Sequence, residues 1–230
     1  MNMEDSVNIL YEDEYLMVVQ KPAGIATQTK RVGEKDMISI LKNYLYKQMK
    51  TKKQPYLAVI HRLDQPVEGL LVFAKTQFAA KELSRQISQK GFGKEYKAVV
   101  CGRLPKESGT LNNYMIKDAK ANRSYICEKE REGAKQAILC YRVAEARGDG
   151  TNLVCIRLET GRHHQIRVQM ANIGCPLLGD AKYNPMPAEG GKWERIALCA
   201  YRLAFTHPKT KKVMTFEMEP TGGVFRKSES

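Results

Sequence analysis

The chain has 230 residues, enough to bury a sizeable core in one large domain or two small ones. It carries 38 Lys and Arg against 25 Asp and Glu, a net charge of +13, which indicates a polyanionic partner such as nucleic acid. No apolar run approaches the roughly 20 residues of a membrane span, and the acidic N-terminus does not resemble a signal peptide, so we predict a cytoplasmic protein without membrane attachment.

The first part of the chain predicts short strands and one helix. NILYEDEYLMVVQKPAG reads as two short strands around an acidic turn, and YLMVVQ, the better of the two, is ended by Pro22 and Gly24. Asp36 can cap a helix over MISILKNYLYKQM, whose apolar residues recur at helical spacing. The apolar run YLAVI, residues 56–60, predicts a buried strand.

The middle of the chain predicts a second helix and several more strands. GLLVFAK is another apolar run typical of a buried strand, and Thr76 can cap a helix that runs to Lys90 and ends before Gly91. EYKAVVCG, GTLNNYM, AILCYRVAEA and NLVCIRLET are strand candidates. The most polar stretch, Asp118 to Gly133, is interpreted as a mobile loop.

The last part predicts a third helix and a closing pair of strands. GRHHQIRVQMANIG places Ile166, Met170 and Ile173 on one helical face, with Gly174 ending the helix. ALCAYRLAFTHP and VMTFEMEP read as two strands around the basic turn PKTKK. Many strands, three good helices and no strict βαβ alternation predict an α+β fold around a mixed, largely antiparallel sheet.

The six cysteines lie at least 13 residues apart, which excludes paired-thiol and zinc-ribbon spacings. Several lie inside apolar runs, so we interpret them as reduced thiols packed as small hydrophobic side chains.

An aspartate, Asp64, directly follows the YLAVI run in the segment HRLDQPVEGLLVFAK. A loop held by a rigid strand is a common place for a functional group. A turn-forming or helix-capping aspartate is the alternative, and the local pattern leaves both open.

A second polar cluster, GRHHQIR, precedes the third predicted helix. On that helix His163 and Arg167 would share a face, with Ile166 directed to the core and Arg167 rotated toward the rim. Cations at a helix N-terminus oppose the macrodipole. An anion must therefore offset them, either an RNA phosphate or a carboxylate such as Asp64, which Arg167 would keep ionised and correctly directed.

Together these motifs resemble a known family. HRLD with GLLVFAKT, then KEYKAVVCG, then LETGRHHQIRVQMANIGCPLLGDAKY, then LCAYRLAFTHPKT are similar to the RluA-type pseudouridine synthases in order and spacing, over roughly residues 8–218. The resemblance implies one catalytic domain over residues 1–230, built on a bent mixed sheet flanked by helices and loops around a central active-site cleft. Because the first strand begins by about residue 8, we expect no separate N-terminal S4-like RNA-binding domain.

The resemblance also implies a reaction. A uridine in an RNA loop or bulge is flipped out, its N-glycosidic bond is cut, and the uracil is turned and rejoined through carbon, with neither metal nor organic cofactor. The essential aspartate of the family falls on Asp64, and its attack on the sugar, attack on the base or removal of a ribose proton all stay open. Ribosomal RNA is the preferred target, transfer RNA the alternative, and a monomer the expected state.

Further roles follow from position in the family motifs. Tyr96 would stack on the target base and act as a general acid or base, with a packed strand aromatic as the alternative. Arg167 would pair with Asp64, Arg62 would fill the gap left by the base, and Leu198 would line the uracil pocket or simply belong to the core. The remaining residues assigned to the RNA-binding surface are His61, Arg162, His163 and His164.

The chain departs from the family at three positions. Glu68 brings a second carboxylate near Asp64, and we expect it to meet a nearby cation rather than raise a pKa. His163 replaces a threonine, and Cys199 replaces a common histidine. Two other functions stay open, a glycosidase or nucleoside-cleaving enzyme that uses Asp64 with Glu68 and a catalytically inactive RNA- or ribosome-binding module.

Overall fold

The computed structural model describes residues 7–31, 33–49, 53–89, 91–185 and 195–226. These residues contain eleven strands, three α-helices and a short 3-10 helix, Gly223–Phe225. They form two compact units. The first unit comprises the chain through Lys94 together with Ala200–Glu219, and the second comprises Glu95–Cys199 and the chain from Pro220.

The first unit is a sheet flanked by two helices. Its strand order is β1-β2-β4-β10, with β3 beside β4 and β11 beside β10. The pairs β1–β2, β2–β4, β3–β4 and β10–β11 are antiparallel. The strands and helices are β1 Asn8–Glu12, β2 Leu16–Lys21, α1 Met37–Gln48, β3 Ala58–Val59, β4 Glu68–Ala74, α2 Gln77–Ser88, β10 Leu198–Thr206 and β11 Val213–Glu217.

Both helices of this unit begin where their capping residues predict. The Asp36 carboxylate accepts the Ser39 N–H at 2.7 Å, while the Ser39 hydroxyl accepts the Asp36 N–H at 3.0 Å, so each satisfies a donor left free at the start of α1. Thr76 Oγ1 accepts the Ala79 N–H and caps α2 in the same manner. The predicted end of α2, Lys90, lies outside the described residues.

The core of the first unit forms between the sheet and α2. Every residue of β4 is buried, which explains its unbroken apolar run. Leu70 and Val72 of β4 pack with Leu16 and Val18 of β2, and Leu83 of α2 belongs to the same cluster. The sheet thereby gives rigid support to the chain segments at its strand ends.

The second unit is a meander of long antiparallel strands with one helix. Its strand order is β5-β9-β8-β6-β7, and each neighbouring pair is antiparallel. The bounds are β5 Gly93–Cys101, β6 Ser108–Asp118, β7 Arg123–Cys127, β8 Lys135–Ala146, β9 Thr151–Leu158 and α3 Gln165–Asn172. Val168 of α3 packs with Met115 of β6 and Ala137 of β8, which holds the helix against the sheet.

The fold class is α+β, and the prediction is confirmed. Most predicted elements lie where expected, but the interpretation of Asp118 to Gly133 as a mobile loop was wrong. Strand β7 occupies part of that stretch and pairs with β6, with Ile116 opposite Tyr125. The predicted strand YLAVI was also largely wrong, because β3 contains only two half-buried residues. The prediction of a single catalytic domain over residues 1–230 stays a prediction.

None of the helices in the described ranges is long and apolar enough to cross a membrane.

Helix α3 begins later than predicted. His164 precedes it in the left-handed region, with φ 55°, so the helix cannot extend back through GRHH. His163 therefore lies before the helix, and the expectation that it shares a helical face with Arg167 was wrong. Ile166 is buried as predicted, but Arg167 is only 5% exposed rather than at the rim.

Gly69 in β4 tolerates no side chain. Its φ is +141°, and an added Cβ would lie 2.5 Å from the Ala200 Cβ and 2.6 Å from the Ala200 backbone nitrogen and oxygen. Gly69→Ala is expected to lower the unfolding free energy by about 3 kcal/mol or more, since backbone strain adds to a clash that a rigid strand cannot relieve.

Gly24→Ala is the matched control for this substitution. Gly24 also has a positive φ, +92°, but an added Cβ would meet nothing within 4 Å. Urea denaturation should show a loss of about 1 kcal/mol for Gly24→Ala. Equal losses for the two variants would contradict the close approach of β4 to Ala200.

Candidate active site

Asp64 lies on a loop of the first unit, between β3 and β4. Hydrogen bonds hold the backbone of this loop before and after Asp64. We call residues His61–Val67 the Asp64 loop. Thr27 Oγ1 donates to the Leu63 carbonyl at 3.0 Å and accepts the Leu63 N–H at 3.2 Å. The Asp64 carbonyl accepts the Val67 N–H at 3.0 Å. These bonds fix the backbone on both sides of the carboxylate.

A buried lysine that sequence reasoning missed supports the same loop. Lys21, at the end of β2, is fully buried, and its Nζ donates to the carbonyls of Pro22, Ile25 and Gln65 at 2.6–3.0 Å. Three acceptors match the three N–H groups of an ammonium. The Gln65 carbonyl also accepts the Gly24 N–H. Lys21 thus joins the end of β2 to the residue that follows Asp64.

The charge of Lys21 depends on two carboxylates of the first unit. Burial lowers the pKa of Lys21 to about 7, while Asp64 and Glu68 act in the opposite direction and raise it. Glu68 is itself buried. Lys21 is therefore a cation close to the carboxylate at position 68, although the residues next to Glu68 in the sequence gave no sign of it.

His61 and Arg62 differ in exposure. Arg62 is exposed, and its Nη2 donates to Gln28 Oε1 at 3.1 Å. The His61 ring packs edge-on against Phe92, its Nε2 accepts the Val72 N–H at 3.4 Å, and its buried Nδ1 has no hydrogen-bond partner among the described residues. Burial, with a smaller effect from Lys94, lowers the pKa of His61 to about 3, so the ring is neutral at neutral pH.

Arg167 forms a buried ion pair in the second unit. Its Nε donates to Asp180 Oδ2 at 2.8 Å and its Nη2 to Asp180 Oδ1 at 2.6 Å. Asp180 is 1% exposed and was missed by sequence reasoning, although it lies in the quoted stretch LLGDAKY. The pairing of Arg167 with Asp64, predicted from the sequence, stays a prediction.

The two histidines of GRHHQIR stack on each other, with ring centroids 3.7 Å apart. His163 Nδ1 lies 2.9 Å from Ser124 Oγ, and His164 Nδ1 lies 2.8 Å from the Tyr183 hydroxyl. Arg162 is exposed, and its Nε donates to the Gln136 carbonyl at 2.8 Å. Of these three side chains Arg162 is therefore the most accessible to a phosphate.

The other positions predicted for the site lie on strands. Tyr96 of β5 is 5% exposed and pairs across the sheet with Ile156 of β9. Leu198, the first residue of β10, and Cys199 beside it are buried. Burial is compatible with a place in the uracil pocket and equally with simple packing in the core. The roles of Tyr96 and Leu198 therefore stay predictions.

Comparison with known proteins identifies the family. The family model described as RNA pseudouridylate synthase matches residues 15–172. The chain belongs to the RNA pseudouridylate synthase family. As the sequence motifs predicted, it is an isomerase that acts on RNA.

Similarity to individual members extends over nearly the whole chain. The dual-specificity RNA pseudouridine synthase RluA of Escherichia coli K12 is 35% identical, over 91% of this chain and 91% of its own. The ribosomal large subunit pseudouridine synthase D of Nitrosomonas europaea is 35% identical over 92% of this chain, which spans 61% of that relative. Human RNA pseudouridylate synthase domain containing 4 has the same fold, with a TM-score of 0.79, 20% identity, and coverage of 97% and 92% of the two chains.

Proposed function

We propose that the protein converts uridine to pseudouridine in the loop or bulge of a ribosomal RNA, with transfer RNA as the alternative target. The similarity to a ribosomal large subunit enzyme supports the first target, and the similarity to a dual-specificity enzyme supports the second. The net charge of +13 suits either RNA. We further propose that the protein acts as a monomer in the cytoplasm.

Asp64 is proposed as the catalytic carboxylate. The observation that carries this proposal is its place in HRLD on a loop that Thr27 and Lys21 fasten to the first unit. A preorganised carboxylate needs no rearrangement at the moment of reaction. Reaction at the sugar, at the base or at a ribose proton would each begin from such an anion, and all three routes stay open.

Tyr96 and Arg167 are proposed to act on the same uridine. Extruding a base costs a few kcal/mol, and stacking on the Tyr96 ring would return roughly 1–3 kcal/mol of that. Arg167 would hold the Asp64 carboxylate ionised, and Leu198 would exclude water from the uracil pocket. In this proposal Arg62 enters the space that the base leaves.

The RNA-binding surface is proposed to include Arg62 and Arg162, both exposed, with His61, His163 and His164 nearby in sequence. Because His61 is neutral, its contribution would be a hydrogen bond or a packing contact rather than a charge. Arginine contacts to phosphates would make RNA affinity fall as salt concentration rises.

Incubation of the purified protein with uridine-labelled ribosomal and transfer RNA tests the proposed function. We expect pseudouridine in a fixed position and turnover that is unchanged by EDTA. Released uracil would indicate the glycosidase alternative, and RNA binding without any product would indicate an inactive binding module. Mapping pseudouridine in cellular RNA from strains with and without the protein would then identify the site.

A further inference from the structure

The buried Arg167–Asp180 pair of the second unit holds the guanidinium in one orientation. Two parallel hydrogen bonds, from Nε and Nη2, fix the plane of the guanidinium against the carboxylate. The pairing is side-on, so the geometry of the group directs the Nη1 N–H groups away from Asp180. Asp180 therefore fixes the Nε–Nη2 edge of the guanidinium, and with it the plane of the whole group.

Asp180 also shapes the turn that follows it. Its Oδ1 accepts the N–H groups of Lys182 at 2.9 Å and Tyr183 at 3.3 Å. The turn places the Tyr183 ring 5.2 Å from the Arg167 guanidinium carbon, within cation–π range. The Asp180 carboxylate thus binds the Nε–Nη2 edge of Arg167 directly and, through the turn, places the Tyr183 ring against the face of the guanidinium.

The Tyr183 ring is itself fixed. Its hydroxyl accepts the Ser124 N–H at 2.8 Å and lies 2.8 Å from His164 Nδ1. Ser124 belongs to β7, the strand paired to β6, so the ring is connected to the sheet as well as to the segment before α3. A ring held at both ends leaves Arg167 little freedom to change its orientation.

Stability alone is a weak reason for such an arrangement. A buried ion pair is often no more stable than hydrophobic side chains of the same volume, because desolvation offsets the attraction. A guanidinium stays charged when buried, and a fixed orientation is what a buried pair can supply that hydrophobic packing cannot. The contacts that Asp180 and Tyr183 make with Arg167 therefore indicate that the orientation of its guanidinium matters.

We propose that Asp180 is a positioning residue that, together with the Tyr183 ring, orients the Arg167 guanidinium for pseudouridine formation. This inference rests on the proposed function of Arg167. Asp180 itself is not proposed to touch the RNA. Its effect on the reaction should pass entirely through Arg167, and this is the property that separates positioning from a general structural role.

A double-mutant cycle tests the proposal. Single-turnover rates of pseudouridine formation are measured for the wild type, Asp180→Asn, Arg167→Lys and the double variant, together with RNA affinity and urea stability. We expect Asp180→Asn to lower the rate by about 10- to 100-fold with little change in RNA affinity. The double variant should be no slower than Arg167→Lys alone, because nothing is left to orient.

Two further variants complete the test. Asp149→Asn is the matched control, since Asp149 caps an exposed turn of the same unit through Thr151, and its rate should equal that of the wild type. If Asp180→Asn does not fold, Tyr183→Leu takes its place in the cycle, and its rate loss should likewise vanish in the Arg167→Lys background.

The outcomes separate this inference from the proposed function. If the wild type is active and the rate losses of Asp180→Asn and Arg167→Lys multiply in the double variant, the positioning role is overturned and the proposed function is not. A wild type that forms no pseudouridine would overturn the proposed function and this inference with it. A full rate in folded Asp180→Asn would also overturn the positioning role.

Discussion

Replacing Asp64 by Asn is expected to lower the rate of pseudouridine formation at least about a thousand-fold, since in the proposed function this carboxylate acts in the transition state and has no substitute. Asparagine has nearly the same shape as aspartate but cannot attack a carbon or accept a proton as a carboxylate can. The loss should therefore appear in the single-turnover rate with saturating enzyme, where RNA binding does not limit the reaction.

RNA binding by Asp64→Asn should be equal to or slightly tighter than that of the wild type, because the substitution removes a negative charge. Filter binding at two salt concentrations measures this. The fold should also persist, since the hydrogen bonds that fix the loop backbone are made by main-chain atoms and the Thr27 hydroxyl, not by the Asp64 carboxylate.

The matched control for Asp64→Asn is Asp118→Asn. Asp118 caps a turn, accepting the N–H groups of Lys120 and Ala121, but it is exposed and lies in the second unit. Its rate should stay within about twofold of the wild type, as for most surface substitutions. Turnover near the wild-type rate in Asp64→Asn would refute the assignment of Asp64.

The sequence predicted those elements whose cause is local. Asp36 and Thr76 cap helices through side chains three residues from their partners, and β4 is buried on both faces, so its apolar run is unbroken. Strand β7 was missed because it is an edge strand. Its backbone pairs with β6, while the polar Arg123 and Ser124 and the exposed Tyr125 leave no alternating apolar pattern in the sequence.

The site was predictable in its motifs but not in its supporting contacts. Asp64 and Arg167 were assigned to the site because they stand in recognisable stretches, and their roles stay predictions. Arg167 was wrongly expected at the rim, since its buried partner, Asp180, lies 13 residues further along the chain. Lys21 was not singled out from the sequence, where it stands between the predicted strand YLMVVQ and Pro22. Its burial depends on carbonyls of three separate residues, and no periodicity in the sequence reports such an arrangement.

Lys21→Met is expected to lower the unfolding free energy by about 2–4 kcal/mol and the rate of pseudouridine formation by about a hundredfold or more. Methionine fills the volume of the lysine stem but donates no hydrogen bond. The carbonyls of Pro22 and Ile25 lose the ammonium, and the carboxylates of Asp64 and Glu68 lose a buried cation. Arginine should not rescue the loss, because its planar fork cannot reproduce the three directions of an ammonium.

Lys94→Met is the matched control, because Lys94 is a half-buried lysine of the first unit whose pKa is also lowered by burial. Burial is the cause of that shift and no carboxylate contributes to it, so Lys94→Met should leave the unfolding free energy unchanged or slightly raised. Urea denaturation of both variants, with rates measured on the folded proteins, makes the comparison. Equal stabilities for Lys21→Met and Lys94→Met would contradict the anchoring role of Lys21.

The stability difference between the wild type and Lys21→Met should also depend on pH. Burial lowers the pKa of Lys21 to about 7 from the usual 10.5, so between these values the unfolded chain binds more protons than the folded one. The unfolding free energy of the wild type then gains up to about 1.4 kcal/mol per pH unit from this residue as pH rises through that window. The methionine variant lacks this gain, so its deficit should widen from pH 7 to pH 9 and stay constant below pH 7. A deficit that does not change between pH 7 and pH 9 would mean that the three carbonyls and two carboxylates keep Lys21 protonated throughout, with a pKa close to its ordinary value.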